Sequence, residues 1–426
     1  MTGEISGAVT TTADPAPLRP MALLRIRPFA VLYLNATVIG LSVMAQTVAR
    51  SWLAFELTGS NAALGGVLLA FGVAMLVMTP WGGVAADRLP KRLVLQVSVG
   101  LLAASSAWIG LAAAFDVIEY WMLLGASVLQ AVAFAVFGPA RMAFLGEVVP
   151  RGSLGNSVSM LLVNNELSRV VGPAVAGVVV GAVTVGIEII FLSSAALLAL
   201  GVLTTVRMPP GLPSGDAAVR SPLGELTDGI RYVLRSPQLT ALLWCGFGVT
   251  MAGLPYVAFL PTVSSDLFDT GSAGYGVLSA TAAVGAVVVG LLMGRRRHRG
   301  SETRTFVVAG VVFGAAVGLL AVAPTFWAAV LVLLVVGAGN LAFQTANQSL
   351  LLGLSDMAYH GRIQGLVMMS FGAFGIAALP LGALADAVGL RWVLGGMGVA
   401  TLLVMGAFVL VTRGRLARED VLRDLG

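Results

Sequence analysis

The fold class predicted by the sequence is an all-α polytopic membrane protein, with twelve transmembrane helices in two six-helix bundles related by a pseudo-twofold repeat. Three observations predict it. Hydrophobic residues make up 58% of the 426 and charged residues only 11%, with a mean hydropathy of +0.95; a soluble domain carries about 25% charged residues. Apolar runs recur along the whole chain, each long enough to cross a hydrocarbon core of about 30 Å as a helix. A polar break at 207–237 divides those runs into two equal sets.

Taken in order, residues 1–27 form a Thr/Ala/Pro mixture without an apolar core, which reads as a disordered cytoplasmic tail and not as a signal peptide. Arg19, Arg25 and Arg27 precede a first span at 29–55, and further spans are expected at 62–86, 93–114, 120–144, 157–181 and 187–206. Residues 28–206 are therefore the first bundle. The linker, 207–237, contains Pro209, Pro210, Pro213, Asp216 and Ser221. Within it Leu226, Ile230, Val233 and Leu234 fall at helical spacing between Glu225, Asp228, Arg231 and Arg235. That pattern suits a short amphipathic helix on the inner leaflet, or a plain tether. The second bundle, 238–412, holds spans at 239–263, 274–294, 305–322, 326–352, 363–385 and 391–411, followed by a tail at 413–426.

Lys and Arg placement sets the orientation of such a chain. With both termini cytoplasmic, all of the 25 basic residues except Arg50, Arg169 and Arg391 fall on inner segments. The outer connections then carry Asp116, Glu119, Glu188, Asp266 and Asp269. This asymmetry accounts for the formal charge of +5 without nucleic acid as a partner. Cys245 is the single cysteine, which excludes an internal disulfide and a multi-cysteine metal site. His298 and His360 have no ligand spacing around them. No phosphate-binding loop and no Ser/His/Asp set is present. Neither a metal, a cofactor nor a catalytic residue is expected, and the protein is not expected to be an enzyme.

The stretch Gly83-Val-Ala-Ala-Asp87-Arg88-Leu-Pro90-Lys91-Arg92 joins spans two and three as a tight basic turn. It resembles the signature loop of the major facilitator superfamily. Arg169-Val-Val-Gly172-Pro173-Ala-Val-Ala-Gly177 is similar to the Gly-Pro motif of that superfamily's antiporters. Phe137-Gly-Pro-Ala-Arg141, Val149-Pro-Arg151, Leu57-Thr-Gly-Ser60 and His360-Gly-Arg362 resemble its bacterial efflux and secretion branch, which includes drug:proton antiporters and siderophore exporters. The halves echo each other weakly, Phe343-Gln-Thr-Ala-Asn347 answering Phe137–Arg141 and Pro380 answering Pro173. Three departures stand out. Pro90 replaces the signature's second glycine, the matching site Gly290–Arg297 lacks an aspartate, and Val43 stands where the branch often carries an acid.

The resemblance implies a multi-pass transporter of the bacterial cytoplasmic membrane. It is expected to work as a monomer in the lipid bilayer, exporting a hydrophobic or amphipathic, drug-like small molecule by alternating access against proton entry. The alternatives are a dedicated exporter of an endogenous metabolite, such as a siderophore or lysolipid, and a transport-inactive receptor or scaffold.

Several residues are expected to carry the mechanism, each with a bland alternative. Asp87, Arg88 and Arg141 would form an inner latch, with Gly83, Lys91 and Arg92 completing the turn; otherwise their charges only fix topology. Glu166 and Arg169 share a helix face at i, i+3 near the middle of span five. A central charge costs roughly 2.5–3.5 kcal/mol on insertion scales, so the pair is a candidate for proton coupling or substrate binding, or else an intrahelical packing pair. Arg50 is expected to snorkel to the outer surface, the alternative being a place in the lining of the outer vestibule. Gly172, Pro173 and Gly177 form a hinge or tight seam, or ordinary small-residue packing. Asn35, Gln46, Asn165, Gln344 and Asn347 are polar groups in apolar runs, some of which should face a central cavity because lipid cannot satisfy them. Met and aromatic residues such as Met44, Met251 and Phe343 would give that cavity an adaptable wall, though core packing is the commoner role of each.

Overall fold

The computed structural model describes residues 20–150, 153–181, 186–206, 208–211, 222–295, 302–356 and 359–412. The tails expected at 1–27 and 413–426 lie outside these, apart from residues 20–27. All regular structure among the described residues is helical. A single turn, α1 (Pro20–Leu23), leads into α2 (Arg27–Thr58), α3 (Asn61–Arg88), α4 (Lys91–Ala114), α5 (Tyr120–Val148), α6 (Leu154–Gly181) and α7 (Glu188–Thr205), which make the first bundle. The linker helix is α8 (Pro222–Arg235). The second bundle opens with α9 (Pro237–Gly253), α10 (Tyr256–Thr262) and a π-helical turn at Val263–Leu267, which share one span. It continues with α11 (Gly271–Arg295), α12 (Glu302–Ala321), α13 (Phe326–Gly353), α14 (His360–Val388) and α15 (Leu390–Thr412).

Eleven of these spans are long and apolar enough to cross a membrane, and α6, at 28 residues, is the twelfth. They agree with the spans expected from sequence to within a few residues. An even number of spans leaves the start of α2 and the end of α15 on one side, the termini face; the α2–α3 and α14–α15 turns lie on the opposite, far face.

Local chemistry fixes the turns. Gly59 takes the left-handed conformation (φ 62°) that ends α2, and Ser60 then caps α3 by accepting from the Ala63 amide. Ser236 and Thr325 cap α9 and α13 in the same way, with Pro237 at the first position of α9. The interruption between α9 and α10 was not anticipated as a break; Pro255 lacks the N–H that would continue the ladder. The amphipathic helix of the linker is present as α8. Val233 is buried, and Gly229 stands against the Arg362 side chain, while Ile230 and Leu234 are exposed. Tyr232 stacks on Tyr359 at 3.8 Å and donates to Asp356, which ties α8 to the second bundle.

Large apolar side chains such as Leu331, Trp392 and Val411 face outward, as a bilayer allows and water does not. The buried core divides unevenly. One cluster runs through the second bundle and continues into the first only at far-face positions, among them Val48, Leu53, Leu64, Leu123 and Phe191. The termini-face half of the first bundle has a separate cluster built on Phe29, Leu32, Val94, Phe137 and Phe144. The apolar interior is therefore continuous between the bundles on the far face and divided on the termini face, among the described residues.

Candidate functional site

The bundles meet along two helix pairs, α3 with α14 and α6 with α11. Small residues make the approach possible. At Gly72 an added Cβ would run into the Gly372 carbonyl, and at Gly177 into the backbone of Gly276. The α3–α14 pair is antiparallel, with Asn61 level with Gly382, Gly65 with Ala378 and Leu68 with Gly375. These contacts close the far half of the seam backbone against backbone.

Polar groups complete that closure. The Tyr275 hydroxyl of α11 donates to the Val48 carbonyl of α2 at 2.9 Å, and its ring stacks on Trp52 at 5.7 Å. Thr262 of α10 donates to Asn61 Oδ1 at 2.7 Å. Asp386 of α14 accepts from Ser60, Asn61 and Ala62 at the start of α3. Sequence reasoning missed Tyr275 and Gly276, because a single sequence does not say which helices face one another, and it missed Asp386, which lies outside the basic signature turn.

The signature turn lies on the termini face. Lys91, 4% exposed, pairs with Glu147 of α5. Arg92 Nη1 donates to the carbonyls of Val206 and Met208 at 3.1 and 3.0 Å, and its amide to Pro210 at 3.1 Å. Both residues thus bind their own bundle together, α4 to α5 and α4 to the end of α7. Arg88 is exposed. Arg141 places its guanidinium 5.4 Å from the Phe137 ring, and its buried Nε has no partner among the described residues. The side chains of Gly83 and Asp87 lie outside the described residues, as does Arg151.

On α6 the side chains of Glu166 and Arg169 also lie outside the described residues. Their neighbours fix the register: Thr37 of α2 donates to Asn164 at 2.8 Å, and Gly40 stands against Ser168. Gly172 fits against Met44 and Leu41 of α2 inside the first bundle, whereas Gly177 belongs to the seam between bundles. Pro173 is half-buried between them.

The amides separate into two groups. Asn35 donates to Thr204 of α7 at 3.1 Å, and Gln46 accepts from Ser106 of α4 at 3.1 Å. Both are buried inside the first bundle, each bonded to a hydroxyl on a neighbouring helix, while Asn35 Oδ1 has no partner among the described residues. Asn347 is likewise buried, against Gly246 of α9. Asn165 and Gln344 are half-buried and are the two of this set with surface left to offer. Phe343 is fully buried and stacks on Phe306 at 4.8 Å, so it is core of the second bundle and not cavity wall.

Arg50 corrects a further expectation. It does not snorkel: it is 4% exposed, and Nη1 donates to Ser127 and Gln130 of α5 at 3.0 and 2.9 Å. A guanidinium can stay within a bundle when polar side chains on the next helix accept from it. Among the described residues no group of His, Cys, Asp and Glu could hold a metal.

Two six-span bundles meeting along paired antiparallel seams define a transporter of the major facilitator type, a carrier and not an enzyme. Residues 18–422 match the family described as transmembrane secretion effector, and the chain belongs to that family. It is 22% identical to the staphyloferrin A transporter of Staphylococcus aureus over 80% of this chain and 85% of that one. It is 24% identical to the multidrug efflux pump Tap of Mycolicibacterium fortuitum over 85% and 90%. Among solved structures it resembles an inward-facing, occupied bacterial homologue of the human lysosomal transporter Spinster. That match has a TM-score of 0.73 and 14% identity, over 91% of this chain and 97% of that one. A peptide-bound transporter of the POT family matches with a TM-score of 0.71 and 13% identity, over 92% and 96%.

Proposed function

We propose that the protein exports a hydrophobic or amphipathic small molecule across a bacterial cytoplasmic membrane by alternating access, driven by proton entry. Its termini face is cytoplasmic and its far face external. The observation that carries this reading is the divided core: the bundles share one apolar interior on the far face and hold separate interiors on the termini face. A carrier closed outside and parted inside has that arrangement, with its site between the bundles near the midplane. Rocking of 28–206 against 238–412 would exchange the two ends. Asp87 and Arg141 are the residues proposed to hold the inner side when it closes, and Glu166 with Arg169 those proposed to couple cargo to protons. Asn165 and Gln344 are proposed to face the cargo.

The relative named for multidrug efflux supports a drug-like cargo. A second reading, a dedicated exporter of an iron-binding metabolite, is favoured by the likeness to the staphyloferrin A transporter along most of the chain. Uptake of a compound panel into everted vesicles, with and without an imposed pH gradient, tests both. Gradient-dependent accumulation of several unrelated amphiphiles supports broad efflux, and accumulation of a metallophore alone supports the second reading. Accumulation of nothing overturns the transport proposal.

A further inference from the structure

The far face carries a second copy of the signature turn. Gly382, Asp386, Gly389 and Arg391 have the spacing of Gly83, Asp87, Pro90 and Arg92: glycine, three residues, aspartate, two residues, glycine or proline, one residue, arginine. Each copy ends one long helix and begins the next, α3 into α4 and α14 into α15. The arginines are used alike. Arg391 Nη1 donates to the carbonyls of Ala321 and Ala323 at 2.9 and 3.2 Å, at the end of α12. Arg92 does the same at the end of α7. In both cases the arginine neutralises carbonyls that the helix end leaves unpaired.

The aspartate of the far copy reaches out of its own bundle. Asp386 Oδ2 accepts from the Ser60 hydroxyl at 2.7 Å and the Ala62 amide at 3.0 Å. Its Oδ1 accepts from the Asn61 amide at 2.8 Å and side-chain Nδ2 at 2.9 Å. All four donors belong to the start of α3, where backbone N–H groups have no helical acceptor and the macrodipole favours an anion. α3 has no acidic residue in its own first turn. The charge that suits this helix start is supplied by the other bundle. Directly beneath it, Gly382 packs against Asn61 at the end of the glycine seam. The contact cannot survive separation of α3 from α14.

We infer that Asp386 is the latch of the far face, a positioning residue that holds the bundles closed there and has to leave the α3 N-terminus before cargo can exit. The inference rests on the alternating-access reading, and it assigns the second signature copy a role complementary to the inner turn. Asp386 touches no cargo. Its effect is on how often the far face opens.

The test uses the full chain in lipid nanodiscs, with Cys245→Ser and spin labels at Leu57→Cys and Val388→Cys, which sit on opposite bundles at the far face. Double electron–electron resonance should give one short distance for this background. Asp386→Asn keeps the size but removes the charge and one acceptor, and should add a longer distance, shifting the open-to-closed ratio by about tenfold. Asp386→Glu, which keeps the charge, should return most of the population to the short distance. An Asp386→Asn protein that elutes as a folded monomer with an unchanged distribution overturns the latch. Everted-vesicle uptake by the unlabelled wild type separates this from failure of the parent reading: lack of gradient-driven uptake removes transport, whereas normal uptake with unchanged distances removes only the latch.

Discussion

The turn at Gly83–Arg92 and the turn at Gly382–Arg391 share a spacing and differ in charge. The first packs Arg88, Lys91 and Arg92 into five residues, and the second has Arg391 alone. In both, the last arginine binds the carbonyl end of a neighbouring helix in its own bundle. The shared spacing therefore builds the turn and anchors it. The extra cations of the first turn serve other ends: Lys91 pairs with Glu147, and on the proposed orientation the cluster biases the segment to the cytoplasm. A residue pattern usually treated as one motif separates into an architectural part, present on both faces, and an orienting part, present on one.

The largest expected effect comes from the seam, where the far turn does its work. Gly72→Val forces a branched side chain into the Gly372 carbonyl, so the far half cannot close. Gradient-driven uptake should fall by more than about tenfold, since interfaces are bistable and not continuously deformable, while the protein still purifies as a folded species with the wild-type elution volume. Next is Glu147→Leu, which removes the acid paired with Lys91, 5% exposed in its side chain. Breaking a buried pair costs about 3–5 kcal/mol; with Glu147 one-third exposed, about 2 kcal/mol is expected, read as a lower melting temperature in detergent. Lys91→Met should cost less, because Glu147 is able to turn to water.

Arg92→Ala and Arg391→Ala sharpen the comparison. If both arginines only cap carbonyls, each should cost about 1 kcal/mol of stability, and Arg391→Ala less, because that side chain is exposed. An effect of Arg92→Ala on membrane orientation, mapped by cysteine accessibility, would separate its orienting role from its anchoring one. The smallest effect is expected at Gly406, where nothing lies within 4 Å of an added Cβ. Gly406→Ala should leave melting and uptake within about 0.5 kcal/mol and experimental scatter.

The spans were legible because a bilayer imposes one length and one polarity on every crossing segment. The break at Pro255 was visible as a residue but not as a kink, since prolines inside α3, α5, α6 and α14 interrupt nothing. The polar residues of the first bundle were misread for a common reason. Arg50 was expected at the outer surface, and Asn35 and Gln46 belonged to a set of which some were expected to face a cavity; Gln130, Thr204 and Ser106 on adjacent helices are partners of the three. Such pairs, like Gly177 with Gly276, depend on which helices adjoin, and one sequence does not carry that. Asp386 is a different case. Its spacing was present throughout, but it lies outside the basic cluster that drew attention to its counterpart.

The central claim is that the sealed far face is one state of a cycle and not a permanent wall. Asn61→Cys with Thr262→Cys, in a Cys245→Ser background, replaces a 2.7 Å hydrogen bond between the bundles with a bridge that can be made and removed. Gradient-driven uptake into everted vesicles of a compound that the wild type exports is then measured with the pair bridged by a short thiol reagent and again after reduction. Bridging should abolish uptake and reduction should restore it. Equal uptake in the bridged and reduced protein would contradict it.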